Sequence, residues 1–136
     1  MHLVTTYINP VKLAKPTGYS HAVSLSGSYK TVLIGGQNAI DKNGRLVGGN
    51  SLRQQTEQVL ANIETIVEAT GGRLQNVVKL NIHIVQGQDP REGFQAFQSK
   101  WSTSANPPAI TVLFVAGLGS PDWLVEIDAV AAVPES

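Results

Sequence analysis

The sequence predicts an α+β protein, a mixed sheet with two helices on one of its faces. Three observations lead there. Two segments carry apolar residues at helical spacing between clear start and stop signals. Five others are short, rich in β-branched residues and bounded by turn formers. Their order is two early strands, a helix, a strand, a helix and two final strands, which leaves both helices able to lie on one side of the sheet.

The elements follow in chain order. His21–Ser26 and Thr31–Gly36 read as strands, with Gly27–Ser28 between them as a hairpin turn. A helix runs from Ser51 to Thr70. Ser51 and Gln54 form a capping box, and Leu52, Thr56, Val59, Leu60, Ile63, Ile66 and Val67 make one apolar stripe. Gly71 supplies the C-terminal stop. Val77–Val85 is a strand. The second helix begins near Asp89, which caps it. Pro90 takes the first helical position and Glu92 completes a second box. Phe94, Phe97 and Trp101 share one face, and Pro107–Pro108 end any continuation. Ile110–Ala116 and Trp123–Val133 are the last two strands.

Composition bounds the rest. With 136 residues and 42% hydrophobic content, the chain is expected to form one domain over residues 1–136. Charged residues make up only 15%, well under the roughly 25% of ordinary soluble domains. Thr31–Ile34 and Ile110–Ala116 are apolar on both faces, and two helices cover only one. An obligate homo-oligomer is therefore expected. Ten basic and ten acidic residues cancel, which removes the general pull on phosphate backbones, so no nucleic-acid partner is expected. Without cysteine there are no disulfides, thiolate nucleophiles or cysteine metal sites. No basic-then-apolar leader opens the sequence and no apolar run reaches the roughly 18 residues of a span. A cytoplasmic protein without membrane partners is the expectation. No P-loop, dinucleotide fingerprint or metal-ligand spacing occurs, so no cofactor or metal is expected.

The candidate chemistry is sparse. Glu126 and Asp128 stand two apart in a strand, on one face with Leu124 and Val130, roughly 6.5–7 Å from each other by the strand rise. A carboxylate in such company is a general acid–base candidate; the plainer alternative is a half-solvated strand face. His83 belongs to the polar face of its strand, with Lys79 and Asn81. His2 lies at the terminus, and His21, after Gly18–Tyr19–Ser20, is the better site candidate of the three. Gly35–Gly36 either let a ligand approach the backbone or form a bulge.

Taken together, several segments resemble the RidA/YjgF family of reactive-intermediate deaminases, formerly called L-PSP endoribonucleases. Gly18–Tyr19–Ser20–His21–Ala22–Val23 is similar to the family's G-P-Y-S-x-A, and Gly35–Gly36–Gln37 to S-G-Q. Gln54 to Ile63 matches Q-T-x-Q-V-L-x-N-I, and Asn76–Lys79 is close to D-V-V-K. Val125 to Ala131 resembles the closing V-E-I-x-A-I-A. The resemblance runs from about Pro16 to Val133. It implies a chorismate-mutase-like fold assembled as a homotrimer around a central β-barrel, with small-molecule ligands in the clefts between subunits. It also implies hydrolysis of enamines and imines such as 2-aminoacrylate to keto acids and ammonia. Glu126 takes the place of the catalytic glutamate. The expected substrate pocket takes in Tyr19, Gly35, Gly36, Phe94, Ile110, Val112 and Trp123.

The chain departs from the family at informative positions. In Pro108–Ala109–Ile110–Thr111, Ile110 stands where the family has the arginine that grips the substrate carboxylate. Phe94 replaces an asparagine, Phe97 a tyrosine, and Gly35 the serine of S-G-Q. Losing the guanidinium fork removes about 1.5–3 kcal/mol of charge-assisted bonding, so 2-aminoacrylate loses its anchor. The alternative to an enamine or imine hydrolase is a non-catalytic trimer that binds an apolar or aromatic metabolite. Ribonuclease activity rests on the older family name alone. Zero net charge and the lack of a basic-aromatic stripe weigh against it.

Overall fold

The computed structural model describes residues 1–101 and 106–135. In chain order the elements are β1 (Val4–Ile8), β2 (Ala22–Ser26), β3 (Tyr29–Gln37), α1 (Leu52–Ala69), a short 3₁₀ turn (Leu74–Asn76), β4 (Val77–Val85), α2 (Pro90–Trp101), β5 (Ala109–Val115) and β6 (Val125–Pro134). Four strands form a mixed sheet in the order β3-β6-β4-β5, and β1 and β2 form a separate two-stranded ribbon. β6 is antiparallel to both its neighbours, whereas β4 and β5 run parallel. A parallel pair cannot be joined by a tight turn, and α2 supplies the crossover.

Period-2 alternation sorts the sheet into two faces. Along β6, Val125, Ile127, Ala129, Ala131 and Val133 are buried, while Glu126, Asp128 and Val130 are only half-buried. The buried set packs with Val59, Leu60, Ile63 and Val67 of α1 and with Phe97 and Trp101 of α2 in one core cluster. Both helices thus lie on one face, as the sequence predicts. Lys100 Nζ of α2 meets Glu64 Oε1 of α1 at 3.1 Å and ties the helices together. No helix among the described residues covers the opposite face. Leu33 there is 78% exposed and Leu113 52%, which bears on the two-sided apolar pattern read from β3 and β5.

Several sequence expectations need correction. β1 is an additional strand. The Gly27–Ser28 hairpin does not form, because β2 pairs with β1 and β3 pairs with β6. Gly27 and Ser28 instead prolong the contact with the N-terminus: Ser28 N–H donates to the Met1 carbonyl at 3.1 Å. The last strand starts at Val125, leaving Trp123 in the preceding turn. Both capping boxes are half formed. Ser51 Oγ accepts from Gln54 N–H at 3.1 Å, but Ser51 N–H is taken by the Gly48 carbonyl. Asp89 Oδ1 accepts from Arg91 N–H at 3.0 Å, and the Arg91 guanidinium closes on the same carboxylate. That pairing holds the Asp89 carboxyl below its usual range. Phe97 and Trp101 are buried and stacked, whereas Phe94 is 39% exposed.

Candidate functional site

Glu126 and Asp128 do share the helix-free face, but their surroundings differ. Asp128 Oδ1 accepts a hydrogen bond from Asn81 Nδ2 at 2.7 Å, across the β4–β6 pair. The Glu126 carboxylate accepts none among the described residues. Its neighbour is Gly36: a β-carbon built there would stand 2.7 Å from Glu126 Oε2. The register explains the closeness. Ile34 pairs with Ala129 and Gln37 with Ile127, so three steps on β3 match two on β6 and Gly35–Gly36 form a bulge. The two glycines thus make a bulge and admit a close approach, and the group that approaches is the glutamate.

His83 is Glu126's cross-strand partner. Its Nδ1 lies 3.2 Å from the Glu126 carbonyl oxygen. In the tautomer with a proton on Nδ1, that nitrogen donates to the carbonyl and Nε2 is left without a hydrogen bond among the described residues. Read on β4 alone, His83 is a polar-face residue whose plainer role is structural. The signal lay in pairing the polar faces of two strands, Lys79, Asn81 and His83 against Glu126 and Asp128. His21, by contrast, is a structural tie: its Nε2 sits 2.7 Å from the Ala14 carbonyl, and its backbone N–H donates to Asn9 Oδ1.

Four of the expected pocket residues meet on the other face. Tyr19, Phe94, Ile110 and Val112 line a cavity of about 410 Å³ between α2, the helix side of β4, β5 and β6, and the Thr17–Tyr19 segment. That segment is pinned by Ser20, whose N–H donates to the Pro108 carbonyl at 3.0 Å and whose hydroxyl donates to Pro107 at 2.7 Å. Gly18, at φ +80°, lets the Phe94 ring lie against the backbone, because a β-carbon there would stand 2.6 Å from the ring. Among the described residues no charged side chain lines the cavity. Trp123 is not part of it; its ring rests near Gly119 in the loop before β6.

One chain therefore holds the expected site residues, Trp123 apart, in two groups. Glu126, Gly35 and Gly36 lie on the helix-free side, joined there by His83, and Tyr19, Phe94, Ile110 and Val112 lie on the helix side. A single sheet separates them. Among the described residues no cluster of histidine and carboxylate groups is suited to a metal ion. No described helix is long and apolar enough to cross a membrane.

Two helices on one face of a mixed sheet, with a glycine bulge beside the glutamate of the last strand, define a Rid-type fold. The chain belongs to the endoribonuclease L-PSP family, whose model matches residues 11–133. It is 35% identical over 119 residues to a RutC family protein of Pyrococcus horikoshii, covering 86% of this chain and 89% of that protein. Among solved structures, the Rid family protein YyfB of Yersinia pestis superposes with a TM-score of 0.84 at 34% identity, over 95% of this chain and 98% of the other. RidA from an Antarctic Psychrobacter, at 33% identity over 88% and 92% of the two chains, gives 0.68.

Proposed function

We propose that this chain is a small-molecule hydrolase acting on reactive enamines or imines, with its site completed in the clefts of a cytoplasmic homotrimer. The reaction is R₂C=NH + H₂O → R₂C=O + NH₃. Glu126 takes a proton from water as the oxygen attacks the imine carbon. It returns that proton to the nitrogen to give the carbinolamine R₂C(OH)NH₂, then takes the hydroxyl proton and delivers it to the nitrogen as the C–N bond breaks, leaving R₂C=O and NH₃. The observation that carries this reading is the Glu126 carboxylate itself. It is half-buried, free of hydrogen bonds among the described residues, and seated on a glycine bulge that has no side chain to block it. General acid–base help of this kind is worth about 10²–10⁴-fold.

The same geometry supports assembly. Glu126 and the Ile110 cavity lie on opposite faces of one sheet, so two copies are needed to bring such groups to one substrate. Ile110 then decides which imines are taken. It offers no charge-assisted partner to a carboxylate, and this disfavours 2-aminoacrylate. The second reading is a trimer that binds its metabolite without converting it, and the wholly uncharged lining around Ile110 favours it.

Ammonia release separates the two. The substrates are 2-aminoacrylate and an uncharged aldimine made in situ by oxidising benzylamine. We expect acceleration with the uncharged aldimine, little with 2-aminoacrylate, and loss of about 10²-fold or more in Glu126→Gln. Ile110→Arg is expected to raise turnover of 2-aminoacrylate. Unchanged activity in Glu126→Gln removes that residue from the mechanism, and no acceleration of either substrate leaves the binding module.

A further inference from the structure

We infer that the cavity under α2 is a binding site for the uncharged, planar apolar part of a ligand, an aromatic ring above all, and that Gly93 keeps it open. The inference rests on the hydrolase reading only in calling that ligand a substrate.

The cavity lies between the sheet and the helices. Ile82, Ile84, Ile110 and Val112 line it from the sheet, Gly93 and Phe94 from α2, and Thr56 and Leu60 from α1. Apolar walls on both sides favour a flat apolar group. The polar side-chain atoms at the lining are three hydroxyls, those of Thr17, Tyr19 and Thr56. The Thr56 proton is committed to the Leu52 carbonyl at 2.7 Å. The Tyr19 hydroxyl has no hydrogen-bond partner among the described residues. A neutral polar group on the ligand has something to bond; an anion has no counter-charge and would be desolvated without compensation.

Gly93 supplies the second line of argument. It is the fourth residue of α2, where glycine weakens a helix relative to alanine. No backbone geometry requires it, because its φ is not positive. No neighbour requires it either. A β-carbon at Gly93 would meet its nearest atoms, Thr56 Oγ1, Leu52 Cδ2 and Ile84 Cδ1, at 3.8–4.0 Å, which is ordinary contact. The helix gives up stability at a position where a β-carbon has room. What the missing side chain leaves behind is space at the edge of the cavity.

The test uses an isosteric pair, benzamide and benzoate, titrated calorimetrically into the full-length protein. We expect benzamide to bind at least tenfold more tightly than benzoate. Gly93→Leu should weaken benzamide at least tenfold while circular dichroism shows the fold retained. Gly93→Ala, whose added methyl fits, should raise Tm and weaken benzamide less. Equal or tighter benzoate binding, no binding of benzamide, or benzamide binding undiminished in folded Gly93→Leu each overturns the proposal. Glu126-dependent hydrolysis without benzamide binding would sink this site and leave the hydrolase reading standing. Benzamide binding without hydrolysis supports the site and sinks the hydrolase.

Discussion

Gln55 carries more of the interior's polar bonding than any pattern of apolar residues reveals. It is fully buried on the stripe of α1. Its Nε2 donates to the carbonyls of Gly49 at 2.7 Å and Asp122 at 3.0 Å, and its Oε1 accepts from Leu124 N–H at 3.0 Å. One side chain thus anchors the entry to α1 and the loop before β6, and with them the start of the strand that bears Glu126. Gln55→Leu keeps the bulk but strands three backbone groups, so urea denaturation should show a loss of roughly 3 kcal/mol or more. Helical periodicity reads a glutamine as polar, and only its distant partners explain its burial. The same limit hid Gly36. Sequence spacing placed glycines near a site but did not say that their partner is a carboxylate. Gly36→Ala would push aside the flexible end of Glu126, not the backbone. Urea denaturation should therefore change by less than about 1 kcal/mol while ammonia release falls markedly; retained activity would argue against that placement of Glu126.

At the scale of elements, what is locally encoded was legible and what depends on a distant partner was not. α1 is encoded by its stripe, its Ser51 cap and Gly71, and it forms over Leu52–Ala69. Ser51→Ala should cost about 1 kcal/mol and lower Tm by about 3–5 °C, since the cap bond to Gln54 N–H is lost and the Gly48 contact survives. β4 was likewise read with its bounds intact, because both its faces and its flanks are distinctive. The ribbon was not. Val4–Ile8 is short, with Thr5 and Thr6 beside Tyr7, and it becomes a strand through pairing with β2. That pairing claims Gly27–Ser28, which in isolation looks like a hairpin turn. Inside the ribbon, burial pushes the Tyr7 phenol above its ordinary pKa.

For the whole molecule, the helix-free face of the sheet decides the behaviour. Its rows run Leu33, Val130 and Lys79, then Asp128, Asn81 and Thr111, then Glu126, His83 and Leu113. Within the chain the polar members bond each other: Lys79 Nζ donates to Thr111 Oγ1, and Asn81 Nδ2 to Asp128, each at 2.7 Å. The leucines have no such partners, and the 15% charged content leaves few groups to solvate a face of this size. Covering Leu33 with another copy gains about 1.5–3 kcal/mol per chain, and a glutamate in its place would bury an unpaired charge. If the chain assembles as the proposed trimer, Leu33→Glu should reduce the solution mass from three chains to one, measured by light scattering on a sizing column; an unchanged mass would remove Leu33 from the interface. The two faces then make separable demands. The cavity under α2 is built within one chain, so the Leu33→Glu monomer should still bind benzamide. The proposed hydrolysis draws its cavity from one copy and Glu126 from another, so on that proposal the monomer should release no ammonia above the uncatalysed rate.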